Sequence, residues 1–488
     1  MTDRHAPATL LVRGGSVLAP GSRKGAGSSK ALGSDEALGS GKVAGSGDFR
    51  RADVLVEDGL IRAVAVAIEP PSGAVVLDAG GCLVGPGLVD VHTHLREPGG
   101  ETAETVESGT RAAALGGYTA VVAMPNTDPA IDSATVVRDV LALGRRALAE
   151  VAVAGAISVG RAGASLAPLA EMAALGVRLF TDDGRGVQDA ALLRRALEYA
   201  APLGVLLAEH CEDESLAAGG SMHEGAWSSR LGIPGQPALA EEAMLARDLG
   251  LVRLTGAPMH FLHLSTAGSV GLIEAARAEG LPVTAEVTPH HLVLTDGFVA
   301  GYDPVFKVNP PLRTGDDVLA LRRALASGTL DAVATDHAPH PPEAKEEPFE
   351  LAPPGMLGLE TALAVTWGVM CAGPEGAAVP PPGRAAAPSL QVAGQPVPPW
   401  CSPGDLLRRM SAAPARIAGL DARHGGPLEP GRPANLCVFD PGQAWDVDPA
   451  ASASRSRNTP FAGWRLTGRV RHTVFAGEAV VIDFAAVR

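Results

Sequence analysis

The stretch Leu88-Val89-Asp90-Val91-His92-Thr93-His94-Leu95-Arg96 is an apolar run that ends in two histidines and an arginine before a Pro98-Gly99-Gly100 turn. Side chains alternate along a strand, so His92 and His94 share a face and can hold one cation through two imidazoles. Asp90 and Arg96 have the same parity. Other polar residues follow other short apolar runs: Asn126, Asp182 and Asp183, His210, His263, then Asp336 and His340. As donors these suffice for two zinc ions, with His92, His94 and Asp336 on one, His210 and His263 on the other, and an aspartate of Asp182-Asp183-Gly184 between them. Paired metals polarise a carbonyl and acidify bound water, so the chemistry that follows is hydrolysis of an amide-type bond. Arg96 offers a planar fork to a carboxylate, which points to an acidic substrate.

Such a set must be gathered by the fold. From residue 84 to about 340, eight short apolar runs alternate with helix-length stretches: Leu88 to Val91, Thr119 to Ala123, Val151 to Ile157, Val177 to Phe180, Val205 to Ala208, His260 to Leu264, Pro282 to Val287 and Asp331 to Ala334. This α/β alternation predicts a (β/α)8 TIM-like barrel, in which the C-terminal strand ends converge on one mouth. Asp90 aside, the polar residues named above cluster at or just past the ends of these runs.

Both chain ends read differently. Short β-like runs up to residue 84 and again from Gly425 to Arg488 predict a small, antiparallel β-sandwich domain built from the two ends. The expected division is therefore residues 1–84 and 425–488 for the small domain and residues 85–424 for the barrel. Residues 19–49, rich in Gly, Ser, Ala and Lys, and residues 373–400, rich in Pro, Ala and Gly, read as insertions, the first of them disordered. Residues 355–371 read as helical.

Composition limits the function. A hydrophobic fraction of 46% supports a large core, while a net charge of −14 argues against nucleic-acid or anionic-membrane binding. No apolar run of 18 or more residues and no signal-peptide core is present, so the expected location is cytoplasmic. Five cysteines without a C-x-x-C pair predict free thiols, with Cys211 a small buried hydrophobe rather than a ligand. No lysine lies between Lys42 and Lys307, so a carboxylated lysine cannot bridge metals in that region.

Five segments in order, His92-Thr93-His94-Leu95-Arg96-Glu97-Pro98-Gly99, Met124-Pro125-Asn126-Thr127, Thr181-Asp182-Asp183-Gly184, Asn309-Pro310-Pro311-Leu312-Arg313 and Thr335-Asp336-His337-Ala338-Pro339-His340, resemble the dihydroorotases of the amidohydrolase superfamily, class I bacterial type. The resemblance covers nearly the whole chain apart from the insertions. It implies up to two Zn²⁺ per chain, one on His92, His94, Asp183 and Asp336, the other on Asp183, His210 and His263, with Asp183 as the bridge. Asp182 is expected to support this site or cap a turn. It also implies substrate contacts at His94, Arg96, Asn126, Asn309 and His340 and at the backbone of Pro354 and Gly355. Pro354 stands where the family often has an aromatic residue. His290, His291 and His337 are expected to have structural roles.

The activity implied is reversible hydrolysis of (S)-dihydroorotate to N-carbamoyl-L-aspartate in de novo pyrimidine (UMP) biosynthesis, with Asp336 as the catalytic proton shuttle. Hydantoinase, dihydropyrimidinase or allantoinase activity is the alternative among enzymes, opposed by Arg96 and the missing lysine. A non-catalytic partner of aspartate carbamoyltransferase is the alternative outside enzymes, opposed by the filled ligand positions. Association with that enzyme and homodimerisation are the implied macromolecular partnerships.

Overall fold

A computed structural model of the 488-residue chain describes residues 9–19, 48–372 and 399–487. Most of both expected insertions, residues 20–47 and 373–398, lies outside the described residues.

Eight parallel strands follow one another in chain order: Leu88–Thr93, Tyr118–Ala123, Glu150–Gly155, Leu179–Phe180, Leu206–Glu209, Met259–Phe261, Val283–Val287 and Ala332–Val333. Their positions match the eight runs expected from the sequence. The second strand, Tyr-Thr-Ala-Val-Val-Ala, is buried throughout, because a parallel strand is covered on both faces. Intervening helices show the complementary pattern. In Ala190–Ala200 the buried Leu192, Leu193, Ala196, Leu197 and Ala200 recur at helical spacing, and the Asp189 carboxylate caps the first turn by accepting from Ala191 N and Leu192 N.

The first and last strands meet at their C-terminal ends. Thr93 and His337 form a parallel bridge, and His94 N donates to His337 O at 2.9 Å. The Asp90 carboxylate strengthens this closure by accepting from Thr335 N at 2.9 Å, from the Thr335 hydroxyl, and from Thr93 Oγ1 at 2.6 Å. Small residues from several strands, including Val89, Ala120, Ala154, Ala208 and Ala332, pack with Ala415, Ile417 and Leu420. The helices Pro403–Met410 and Ala412–Ile417 lie against the first and eighth strands.

The chain ends share a nine-stranded sheet, as expected. Residues Leu436–Asp446 join the two ends by pairing antiparallel with Leu83–Pro86. The sheet is mixed rather than wholly antiparallel, because Leu10–Leu18 pairs in parallel with Val75–Asp78 and with Leu83–Pro86. The helix expected over 355–371 is shorter, Ala362–Met370, and a turn at Gly358–Thr361 precedes it.

Candidate active site

All six residues expected to bind metal converge at the barrel mouth, and all are buried. His92 Nε2 lies 3.3 Å from Asp183 Oδ1 and 3.6 Å from Asp336 Oδ1. His94 Nε2 lies 3.0 Å from Asp336 Oδ1 and 3.6 Å from Asp183 Oδ2. Asp183 Oδ1 is also 3.7 Å from His210 Nδ1 and 3.6 Å from His263 Nε2. Two groups gather their donor atoms within 4.8 Å: His92, His94 and Asp336, and His92, Asp183 and His263. His92 thus belongs to both, while His210 joins through His263, whose Nε2 is 3.0 Å from His210 Nδ1.

The proton inventory of these imidazoles tests whether a cation fits. His94 Nδ1 donates to Asn126 Oδ1 at 2.8 Å, and His92 Nδ1 donates to Glu286 Oε1 at 3.0 Å. Each ring then turns an Nε2 lone pair toward carboxylate oxygens. His92 Nε2 is buried without a hydrogen-bond partner among the described residues. Lone pairs of nitrogen and oxygen facing each other at 3 to 4 Å need a positive charge between them, and a metal with imidazole and carboxylate ligands supplies it. Burial lowers the basicity of His92 but the Asp183 charge overcomes it, so the ring is pushed well above the usual range, which shows how strongly this cluster draws positive charge. Asp183, although burial opposes ionisation, is held well below the ordinary carboxylate range by His92, His210 and His263.

The backbone is forced to aim these groups. Arg96, His263 and Asp336 have φ of 60°, 30° and 46°, in the left-handed region that side chains with a Cβ seldom adopt. Gly99, with φ 94°, lets the loop after Arg96 pass so close to Asp128 that a Cβ would come within 2.2 Å of its carbonyl oxygen.

Arg96 is half-buried, and its Nε donates to Pro339 O at 3.1 Å. Burial lowers its pKa to about 10, so it stays charged near neutrality. His340 is pushed down to about 3 by burial and by the Arg96 charge, so its ring is neutral. Its Nε2–H donates to Pro354 O at 2.8 Å, leaving the guanidinium at 3.5 Å without an acceptor at that nitrogen. Gly355 N donates to Lys307 O at 2.9 Å, and Gly355 O accepts from Asn458 Nδ2 at 3.1 Å. The Pro354 and Gly355 backbone is therefore already engaged within the protein. Asn309 Nδ2 donates to Glu212 Oε2 at 2.7 Å, which leaves its Oδ1 as the free polar end.

Asp182 turns away from the cluster, accepting from Ile157 N at 2.9 Å and from Ser158 N at 3.0 Å, the turn-capping role expected. His291 bonds Thr288 Oγ1 and Pro310 O, and His337 lies between Glu104 and Gly358 N. His290 Nε2 is buried with no partner among the described residues. Cys211 is buried and its thiol pushed up, first by desolvation, as befits a packing residue.

Three supporting groups escaped the sequence reading. Glu286 holds His92 with one oxygen and His260 Nε2 with the other at 2.9 Å. Glu212 joins Asn309 to Gln236 Nε2 at 2.9 Å and approaches His210 Nε2 to 3.5 Å. Arg161 Nη2 donates to the main-chain oxygen of Asp183. For Glu286 the available signal was a carboxylate inside the apolar run Val283–Val287; Arg161 had none.

Known proteins place this geometry. A profile of the family described as "Dihydro-orotase-like" matches residues 81–269. The chain is 48% identical to a dihydroorotase of Streptomyces coelicolor over 88% of this chain and 95% of that one. It is 47% identical to a dihydroorotase of Mycobacterium tuberculosis over 89% and 95% of the two chains. In shape it is similar to the L-hydantoinase (dihydropyrimidinase) of Arthrobacter aurescens, with TM-score 0.77 and 24% identity over 98% of this chain and 97% of that one. It is equally similar to a dihydropyrimidinase of Brevibacillus agri, with TM-score 0.76 and 22% identity over 98% and 96%. These two likenesses establish the barrel fold, and the sequence identity over almost the full length of the curated relatives establishes that the chain belongs to the dihydroorotase family.

Proposed function

We propose that this chain is a zinc-dependent dihydroorotase that hydrolyses (S)-dihydroorotate reversibly to N-carbamoyl-L-aspartate, a step of pyrimidine synthesis. The observation that carries the substrate assignment is Arg96: a charged guanidinium beside the cluster whose Nε donates to Pro339 O, with Nη2 3.5 Å from a His340 nitrogen that itself donates to Pro354 O. Such a fork takes a carboxylate through two parallel bonds. Rings without a carboxylate, such as dihydrouracil, hydantoin or allantoin, leave it unpaired.

His92, His94, Asp183 and Asp336 would hold one Zn²⁺, and Asp183, His210 and His263 the other. Zinc bound there supplies Lewis acidity toward the ring carbonyl and lowers the pKa of water. Arg96, with Asn126, Asn309 and His340, fixes the substrate carboxylate and ring amides, and His94 is a further substrate contact. Pro354 and Gly355 contribute by backbone, through the second lone pair of Pro354 O. Asp336 takes the proton of the attacking water and delivers it to the leaving ring nitrogen; in ring closure it runs the other way. Asn126 accepts from His94 Nδ1 at 2.8 Å and so fixes the ring whose Nε2 faces Asp336 Oδ1 at 3.0 Å. Opening releases a proton with the new carboxylate, so acid favours the ring and alkali the open chain.

Residues 85–424 act as the catalytic barrel and residues 1–84 and 425–488 as the small domain on this reading. No helix of the described residues is long and apolar enough to cross a membrane. The enzyme is assigned to the cytoplasm, with homodimerisation and association with aspartate carbamoyltransferase as the partnerships to examine by size measurement. The test is turnover of dihydroorotate by zinc-loaded protein beside dihydrouracil, hydantoin and allantoin. Preference for a ring without the carboxylate overturns the assignment.

A further inference from the structure

Cys371 and Cys401 stand 30 positions apart in sequence, on either side of the Pro, Ala and Gly rich stretch, yet their Sγ atoms lie 3.9 Å apart. Cys371 caps the C-terminus of the helix Ala362–Met370, and Cys401 lies just before Ser402, the N-cap of the helix Pro403–Met410. Backbone bonds hold the two segments together independently of the sulfurs: Trp400 N and Cys401 N both donate to Met370 O, at 2.8 and 3.2 Å. Both residues are partly exposed, whereas Cys82, Cys211 and Cys437 are buried. A disulfide needs the sulfurs at about 2.05 Å, a closure that side-chain rotation supplies when the backbones are already paired.

We propose that Cys371 and Cys401 form an oxidisable dithiol, a modification site that closes to an intramolecular disulfide on reaction with a hydroperoxide and staples these two helices together.

The two thiols differ in role. Either sulfur can donate across this contact; the Cys401 thiol is held below its ordinary range, first by the bond with Cys371 and then by the Arg409 charge, against desolvation and the Asp405 carboxylate. Cys371 is held protonated by the same contact and by burial. The Cys401 thiolate attacks the terminal oxygen of the hydroperoxide, the O–O bond breaks, and an alcohol or water leaves with a sulfenic acid on Cys401. The Cys371 sulfur then attacks that sulfur; the S–S bond forms, the S–O bond breaks and water departs with the Cys371 proton. Two thiols are oxidised and one hydroperoxide is reduced. The helix Pro403–Met410 rests on the first and eighth barrel strands, so the staple fastens the side of the barrel that carries His92, His94 and Asp336.

The test treats the zinc-loaded full chain with hydrogen peroxide, alkylates it after unfolding, and maps it without reduction. The expected result is a loss of about 2 Da, one cross-linked peptide pair containing Cys371 and Cys401, and three alkylated cysteines. Dithiothreitol reverses it. In Cys371→Ser the sulfenic acid on Cys401 persists and is trapped by dimedone. Alkylation of both residues in the treated wild type, over-oxidation of Cys401 without a cross-link, or a link between chains overturns the proposal. The wild-type map decides the matter alone if the variant does not fold.

Discussion

Glu286 Oε1 lies 3.0 Å from His92 Nδ1, and this bond decides which nitrogen of His92 faces the cluster. The carboxylate is buried, which would raise its pKa, but bonds from His260 and His92 bring it down to about 2. It stays ionised and keeps the Nε2 lone pair of His92 directed at Asp183 and Asp336.

Glu286→Gln should therefore weaken metal binding about 10–100-fold while the chain stays folded. Competition with a chelator, read as zinc retained per chain beside the circular dichroism spectrum, checks this. Unchanged retention would show that the imidazole is oriented by the backbone alone.

Arg96→Met should raise KM for dihydroorotate by about 10–100-fold, the worth of a charged hydrogen-bonded contact, with a smaller change in kcat. Arg96→Lys should recover only part, because an ammonium lacks the fork. Steady-state kinetics of the three proteins decide it.

Asp336→Asn removes the proton acceptor and should lower kcat by roughly 10²–10⁴-fold. Because Asp336 also stands among the proposed ligands, zinc content is measured on the same sample. A loss of activity with no loss of zinc assigns the defect to proton transfer.

Lys345 donates to Pro304 O at 3.1 Å, to Lys307 O at 3.4 Å and to Pro353 O at 2.7 Å, pinning the segment that carries Pro354 and Gly355. Burial and the Lys307 charge lower its pKa to about 7, with Asp303 acting in the opposite direction and Arg96 in the same one. Above that pH the ammonium loses its charge and a donor, so KM should rise on the alkaline side, and Lys345→Met should show a high, flat KM. The folding sign is opposite. Between about 7 and the ordinary lysine value the unfolded chain binds more protons, so the stability penalty of Lys345 is full below pH 7 and fades as pH rises. Kinetics and denaturation across that range separate the two effects.

Glu150 ties the third strand to the segment beyond the barrel through His424 Nε2 at 2.8 Å and Arg423. Burial opposes its ionisation, but these partners lower its pKa to about 2. Its stabilisation is present above the unfolded value and is lost as pH falls through about 2, so Glu150→Gln should flatten acid unfolding between pH 5 and 2 and cost about 1 kcal/mol at neutrality.

The barrel was legible because each strand is a short apolar run and each donor follows one, from His92 after Leu88–Val91 to Asp336 after Asp331–Ala334. The candidate cluster was legible because imidazole and carboxylate groups are rarely gathered at strand ends for any purpose but binding a cation. What sequence could not give was orientation. Nothing in Glu212 or Arg161 announces that one meets Asn309 and the other the Asp183 carbonyl, since those meetings depend on loops whose paths are fixed only by packing. The mixed sheet was missed for a similar reason: parallel pairing of Leu10–Leu18 joins strands that are not neighbours in sequence.

The contact between Asp90 and Thr335 spans 245 positions and seals the ring of strands that holds the cluster. On the ribosome, His92 and His94 emerge with only each other as partners, and Asp336 follows His94 by 242 residues. At roughly 5–20 residues per second that delay is about 12–50 s. Asp183, His210 and His263 emerge within that interval, so the donor set is complete only when Asp336 arrives. The full donor set is consequently a product of barrel closure and not of any one segment of the chain.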